Sequence, residues 1–160
     1  MSQLPGIFSR LLIIGIGNKY RSDDGVGLLI ARRLHETLSA PVTMIEQSGE
    51  GAALMEAWKD FQDVILIDAV HSGAPPGTIF RFEAHQQAIP TQFFHYSTHA
   101  FSVAEAIELA RALNQLPPRL IVYGIEGKNF AAGIELSPEV DKMTPEVVDR
   151  VMREIQLGKY

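Results

Sequence analysis

Three short runs of almost uninterrupted apolar residues limit most strongly what this chain can fold into; they cover residues 11–16, 64–67 and 120–123. Each run has the length of a strand, and strands that are apolar on both faces are typical of parallel sheets covered by helices on each side. Further strands are predicted at residues 42–45 and 78–82, the latter at an edge of the sheet, and a short one at 134–136.

Between these strands, apolar residues recur at the spacing of a helix. Helices are predicted over residues 24–38 and 52–59, and Ser102 with Glu105 fits a capping box that starts a third. Thr144 and Pro145 fit the cap and first position of a last helix. The alternation predicts an α/β fold: residues 1–160 form a single three-layer domain with a mostly parallel central sheet and helices on both faces.

Composition excludes several classes of function. The chain has no cysteine, which excludes a disulfide scaffold, thiolate metal sites and a cysteine nucleophile. Its net charge of −5 comes without a basic stripe, so no nucleic-acid partner is expected. Residues 1–10 contain no long apolar stretch, so no signal peptide, membrane span or membrane partner is expected, and the expected location is the cytoplasm.

Polar residues follow the predicted strands at the edge of the sheet where α/β proteins bind ligands. Asp23 and Asp24 lie in the glycine-containing loop after the first strand, Asp68 follows the third strand, and His99 precedes the helix at Ser102. Because neighbouring residues point in different directions, one of the two adjacent aspartates is expected to cap a helix while the other faces the cleft. Two carboxylates and an imidazole suit a divalent cation such as nickel or zinc, so Asp24, Asp68 and His99 are the candidate site.

Plainer alternatives exist for each of these residues. Aspartates are common helix caps and turn residues, and a lone histidine is more often structural than a ligand. The glycines of the first loop do not complete a dinucleotide-binding motif, because Tyr20 stands where its third glycine is needed. His95 and His99 lie four residues apart, but Tyr96 replaces the glutamate of a metalloprotease motif. His71 is a candidate supporting residue near Asp68.

Several separated motifs together resemble the hydrogenase maturation endopeptidases, which trim a C-terminal extension from the large-subunit precursors of nickel–iron hydrogenases. They span nearly the whole chain. The matching motifs are Gly15-Ile16-Gly17-Asn18, Ser22-Asp23-Asp24-Gly25-Val26-Gly27, Ile67-Asp68-Ala69 with Gly73 and Pro76-Gly77, Ser97-Thr98-His99, and Tyr123-Gly124-Ile125-Glu126 with Leu136-Ser137.

The resemblance implies that Asp24, Asp68 and His99 contact a metal and carry out catalysis, in an aspartate-type or metal-dependent endopeptidase. It also implies that the metal is nickel, that the hydrogenase precursor carries it on its own cysteines, and that this precursor is the partner. Three departures from the family pattern stand out. Asp24 takes the place of a frequent glutamate, Glu46-Gln47-Ser48-Gly49 replaces an Asp-Gly-Gly-Thr-like loop implicated in substrate recognition, and Gly127 replaces a common proline.

Two other functions compete with this interpretation. A peptidyl-tRNA hydrolase-like protein also opens with a strand and Gly-x-Gly-Asn, but it would carry Thr-Arg-His-Asn where this acidic chain has Arg21-Ser22-Asp23-Asp24. A nickel-binding accessory protein or metallochaperone without peptidase activity would use the same three side chains to hold nickel for transfer. The sequence sets the first alternative aside and leaves the second open.

Overall fold

Five strands form one sheet in the order β2-β1-β3-β5-β4 in the computed structural model of the chain, which describes residues 11–39, 42–90, 93 and 100–157. The strands are β1 (Leu11–Ile16), β2 (Thr43–Gln47), β3 (Asp63–Val70), β4 (Ile79–Glu83) and β5 (Arg119–Glu126). Neighbouring strands run parallel except β4, which pairs antiparallel with β5 at the edge. The mostly parallel sheet and the edge position of the fourth strand are confirmed.

Helices cover both faces of this sheet. They are α1 (Val26–Thr37), α2 (Gly51–Trp58), α3 (Val103–Ala112) and α4 (Pro138–Leu157). Leu12, Ile14 and Ile16 of β1 pack on the side of α2 and α3, and Leu11 and Ile13 pack on the side of α1 and α4. Since successive strand residues point to opposite faces, the continuous apolar run is what two buried faces require, and the predicted three layers are confirmed.

The start of α4 and the strand at 134–136 were predicted wrongly. α4 begins at Pro138 and runs through Pro145, whose missing N–H leaves the carbonyl of Asp141 without its usual helical partner. The Thr144 hydroxyl donates to that carbonyl at 2.9 Å, so the helix continues. Residues 134–136 form no strand; Gly133 makes an isolated bridge to Arg21, and the side chain of Ile134 is 78% exposed.

Glycine allows α1 to begin directly against the sheet. A Cβ atom at Gly27 would lie 2.2 Å from the carbonyl oxygen of Ile67 and 2.6 Å from that of Ile16. The first turn of α1 therefore touches the backbone of both β1 and β3. This contact fixes the loop between β1 and α1 over the carboxyl ends of those strands.

The carboxylate of Glu154 joins α4 to the edge of the sheet. It accepts hydrogen bonds from Arg81 at 2.9 and 2.5 Å, from Arg119 at 3.0 Å and from the Tyr123 hydroxyl at 2.6 Å. Burial acts to raise the pKa of Glu154, but the hydrogen bonds from Arg81, Tyr123 and Arg119 outweigh it and lower the pKa from 4.5 to about 2. The ionised form of Glu154 therefore stabilises the fold.

Glu154→Gln is expected to lower the free energy of unfolding at pH 7 by about 2 kcal/mol, allowing for the partly exposed arginines. A lowered pKa means that the stabilisation is complete above pH 4.5 and is lost as the pH falls toward 2. The difference between the variant and the wild type should shrink over that window, measured by urea unfolding at a series of pH values. A difference independent of pH would contradict this account, and Glu146→Gln, an exposed pair with Arg150, is the control.

Of the helices in the described ranges, none combines the length and the apolar character needed to cross a bilayer.

Candidate active site

Asp24 and Asp68 lie together at the carboxyl ends of the neighbouring strands β1 and β3. Asp24 belongs to a 3₁₀ turn (Ser22–Gly25) that connects β1 to α1, and Asp68 lies within β3, which continues to Val70. The sequence predicts a shorter strand that ends just before Asp68, whereas the observed strand continues past it. The negative charge of Asp24 contributes to raising the pKa of Asp68, which places the two carboxylates within electrostatic reach of each other.

Asp68 carries a buried carboxylate near the carboxyl end of the apolar strand β3. The residue is 7% exposed. Burial raises its pKa well above 3.8, and the charge of Asp24 raises it further, while a hydrogen bond from the backbone of Ala69 acts in the opposite direction. Such a group is poised to hold a proton, or to give it up when a cation approaches.

Asp24 is held by the loop that follows β1. The backbone N–H of Asn18 donates to Asp24 Oδ2 at 2.9 Å. Burial raises the pKa of Asp24, and the Asn18 hydrogen bond and the charge of Arg21 only partly oppose this. Gly17 has a φ of +146°, and a Cβ there would lie 1.9 Å from the carbonyl oxygen of Asp24, so this turn requires glycine.

Asp23 points away from Asp24 and fastens a distant loop. Its fully buried carboxylate accepts hydrogen bonds from the backbone N–H groups of Lys128, Asn129 and Ser137 at 2.8, 2.9 and 2.7 Å, and from the Ser137 hydroxyl at 2.7 Å. Burial acts to raise the pKa of Asp23, but these bonds together lower it. The predicted divergence of the two aspartates is confirmed. The predicted cap is wrong, because α1 has no side-chain cap and Asp23 binds the loop before α4.

His99 lies outside the described residues, as do His95 and Tyr96. Within the described ranges, no three histidine, cysteine, aspartate or glutamate side chains form a cluster able to hold a metal ion. Two members of the predicted triad, Asp24 and Asp68, are therefore brought together, and the metal-binding role of all three stays a prediction.

Sequence reasoning did not assign a role to Glu126, which anchors the loop that follows β3. Glu126 is 1% exposed, and its carboxylate accepts hydrogen bonds from the backbone N–H of Ser72 at 2.9 and 3.1 Å and from the Ser72 hydroxyl. The position of Glu126 at the end of an apolar strand is the sequence feature that could have indicated its role. The next residue, Gly127, donates its N–H to the carbonyl of Val70 at 3.0 Å, a bond that a proline at this position lacks.

Glu46 and the other described histidines make contacts of their own. Glu46, in β2, forms a bidentate ion pair with Arg32 of α1 at 2.5 and 2.9 Å, and this hydrogen bonding lowers the pKa of Glu46. His71 follows β3 and packs edge-on against Phe130, with ring centroids 5.6 Å apart. His85 hydrogen-bonds to the backbone of Leu120, and His35 is exposed on α1.

Two nearby carboxylates with raised pKa values can do one of two things. They can share a proton, so that one acts as a general base, or they can ionise together around a cation whose charge offsets their repulsion. Both actions place chemistry at the carboxyl edge of the sheet, where the loop after β1 and strand β3 meet.

Comparisons with known proteins agree with one another. The hydrogenase maturation protease family model matches residues 28–154. A hydrogenase expression/formation protein, HupD of Thiocapsa roseopersicina, is 26% identical over 92% of this chain, which spans 65% of that relative. The hydrogenase 2 maturation protease of Escherichia coli K12 is 24% identical, over 89% of this chain and 88% of its own length.

A solved structure has the same fold. The hydrogenase maturating endopeptidase HybD from E. coli superimposes with a TM-score of 0.73 over 93% of both chains, at 20% identity. The family model covers most of this chain, including strands β2 and β3, and β3 carries Asp68. The chain belongs to the hydrogenase maturation protease family.

Proposed function

We propose that this chain is an endopeptidase that removes the C-terminal extension from the large-subunit precursor of a nickel–iron hydrogenase after nickel insertion. The family supports a maturation protease. The observation that carries the proposal is the pair formed by the half-buried carboxylate of Asp24 and the buried carboxylate of Asp68, both with pKa values raised by burial. Such a pair is best satisfied when a cation arrives with the substrate.

The nickel belongs to the substrate in this proposal. The precursor holds the ion through its own cysteines, and the chain, which has none, offers Asp24, Asp68 and His99 to complete the metal's coordination. Recognition of nickel, the aspartate or metal-dependent chemistry and a cytoplasmic location are parts of the proposal that rest on the sequence. No nucleic-acid or membrane partner is part of it.

The roles of the three residues follow from their chemistry. Contact with nickel positions the peptide beside the carboxylates, and a bound nickel ion supplies charge that polarises a carbonyl or a water molecule. Asp68, the more buried carboxylate, is assigned either to the metal or to proton transfer, Asp24 supports it electrostatically, and His99 supplies an imidazole donor. Cleavage would then occur only on precursors already loaded with nickel.

His99→Ala is expected to reduce cleavage of a nickel-loaded precursor by at least about 10²-fold, because one of three donors is removed. The measurement is the mass of the precursor after incubation with the protein, where loss of a C-terminal fragment reports cleavage. His35→Ala, at an exposed position of α1, is the matched control and should cleave at the wild-type rate. Equal cleavage by the two variants would remove His99 from the site.

The same experiment separates the protease from a metallochaperone. A wild-type chain that binds nickel, passes it to the precursor and releases no fragment from any precursor would favour the metallochaperone.

A further inference from the structure

A groove borders the turn that carries Asp24. It has a volume of about 370 Å³ and runs between the first two turns of α1 and the loop before α4. We call it the α1 groove. Its lining residues are Lys19, Tyr20, Ser22, Gly25, Leu28, Leu29, Arg32, Ile134 and Leu136. Ser22 and Gly25 belong to the same 3₁₀ turn as Asp24, so the groove lies beside the turn that carries one of the two candidate site carboxylates.

The rim of the α1 groove holds two large apolar side chains in solvent. Tyr20 is 61% exposed and Ile134 is 78% exposed, whereas Leu28 below them is 7% exposed. Exposure of apolar side chains around an apolar floor is typical of a surface that binds a partner. The groove therefore has the character of a docking site for an apolar segment.

Hydrogen bonds join the two sides of the α1 groove, which are the turn at Tyr20 and Ser22 and the loop before α4. The N–H of Gly133 donates to the carbonyl of Tyr20 at 2.9 Å, the N–H of Ser22 donates to the carbonyl of Gly133 at 2.9 Å, and the Ser22 hydroxyl donates to the carbonyl of Ala131 at 2.8 Å. Asp23 fastens the same loop from below. A groove held in shape before binding loses little conformational entropy when it is filled.

The charged residues of the α1 groove favour an occupant that carries a negative charge. Among its lining residues in the described part of the chain, Lys19 and Arg32 are charged and none is acidic, although the whole chain carries −5. Arg32 is already paired with Glu46, and Lys19 lies over the ring of Tyr20 at 5.1 Å. The charge of Lys19 also acts on Glu46, so two cations face one carboxylate and the groove keeps an excess of positive charge for an anionic group that enters it.

We propose that the α1 groove binds an extended apolar segment of the precursor that carries a carboxylate, from a side chain or a chain terminus, next to the bond that is cleaved. The proposal rests on the proposed function. It makes Tyr20, Ile134 and Lys19 residues that determine specificity, and Asp24 and Asp68 remain the groups that act on the bond.

Ile134→Asp tests the proposal on the full-length chain. We expect the KM for the nickel-loaded precursor to rise at least about tenfold with kcat nearly unchanged, because a charge replaces an apolar contact that only positions the substrate. Leu113→Asp, at a 53% exposed apolar position on the end of α3, should match the wild type. Lys19→Glu should raise KM severalfold, and the effect should weaken as salt is added.

The outcomes distinguish the two proposals. A wild-type KM for Ile134→Asp would overturn the proposal that the α1 groove binds the precursor, and it would leave the proposed function standing. A variant that loses only self-association would have the same meaning, because a second copy of the chain would then be the occupant of the groove. If the wild type cleaves no precursor, the proposed function fails, and the groove is judged by the Kd of the same precursor measured by calorimetry. Weaker binding by Ile134→Asp than by Leu113→Asp then supports the groove; equal or absent binding overturns it.

Discussion

Asp68→Asn is expected to lower kcat/KM for a nickel-loaded precursor by about 10³-fold or more while the protein folds at least as stably as the wild type. The loss of activity follows because the amide cannot bind a cation or a proton as the carboxylate does. The stability follows from the raised pKa: ionised Asp68 pays for burial and for repulsion by Asp24, and the neutral amide has neither cost.

The size of the stability effect of Asp68→Asn depends on pH. Because the pKa of Asp68 is raised in the folded state, its unfavourable effect is absent below pH 3.8, grows as the pH rises from 3.8 to the folded-state pKa, and is constant above it. Asp68→Asn should therefore match the wild type in stability at low pH and equal or exceed it at neutral pH, measured by urea unfolding. Asp149→Asn, exposed on α4, is the control. A variant that is inactive because it unfolds would contradict the assignment.

Asp23→Ala is expected to lower the free energy of unfolding by about 3–5 kcal/mol, the largest loss of stability among the changes considered. The substitution leaves three backbone N–H groups and the Ser137 hydroxyl without their acceptor in the protein interior. Asp23→Asn, which keeps one acceptor oxygen, should lose less. Urea unfolding at pH 7 measures both.

Asp60→Ala, at an exposed position after α2, serves as the control for Asp23→Ala and should change the stability by less than about 0.5 kcal/mol. A loss of less than about 1 kcal/mol for Asp23→Ala would show that the loop before α4 is held by other contacts. Asp23 and Asp68 are both buried, but the carboxylate of Asp23 is expected to stabilise the fold and that of ionised Asp68 to destabilise it.

The parts of the fold that depend on local pattern could be predicted from the sequence. The run Leu11–Ile16 forms β1 with the same bounds, and the edge position of the fourth strand followed from its short length. The meeting of Asp24 and Asp68 was predictable because carboxyl ends of parallel strands lie at one edge. These inferences need only the spacing of apolar residues and the rules of α/β topology.

Features that depend on particular side-chain partners were not predictable. Asp23 binds residues 105 to 114 positions away, so its role could not be read from its neighbours, which suggested a helix cap. Pro145 is tolerated inside α4 because the Thr144 hydroxyl satisfies the carbonyl of Asp141, which is a side-chain arrangement rather than a sequence period. Glu126 and Ser72 meet only after β3 and β5 have paired.

In the proposed function, the carboxylates of this chain act on a precursor because it carries nickel. The most direct measurement is the mass of the same precursor, prepared with and without nickel and incubated with the wild-type chain. We expect a C-terminal fragment to be lost from the nickel-loaded precursor alone. Cleavage of both forms at the same rate would contradict it.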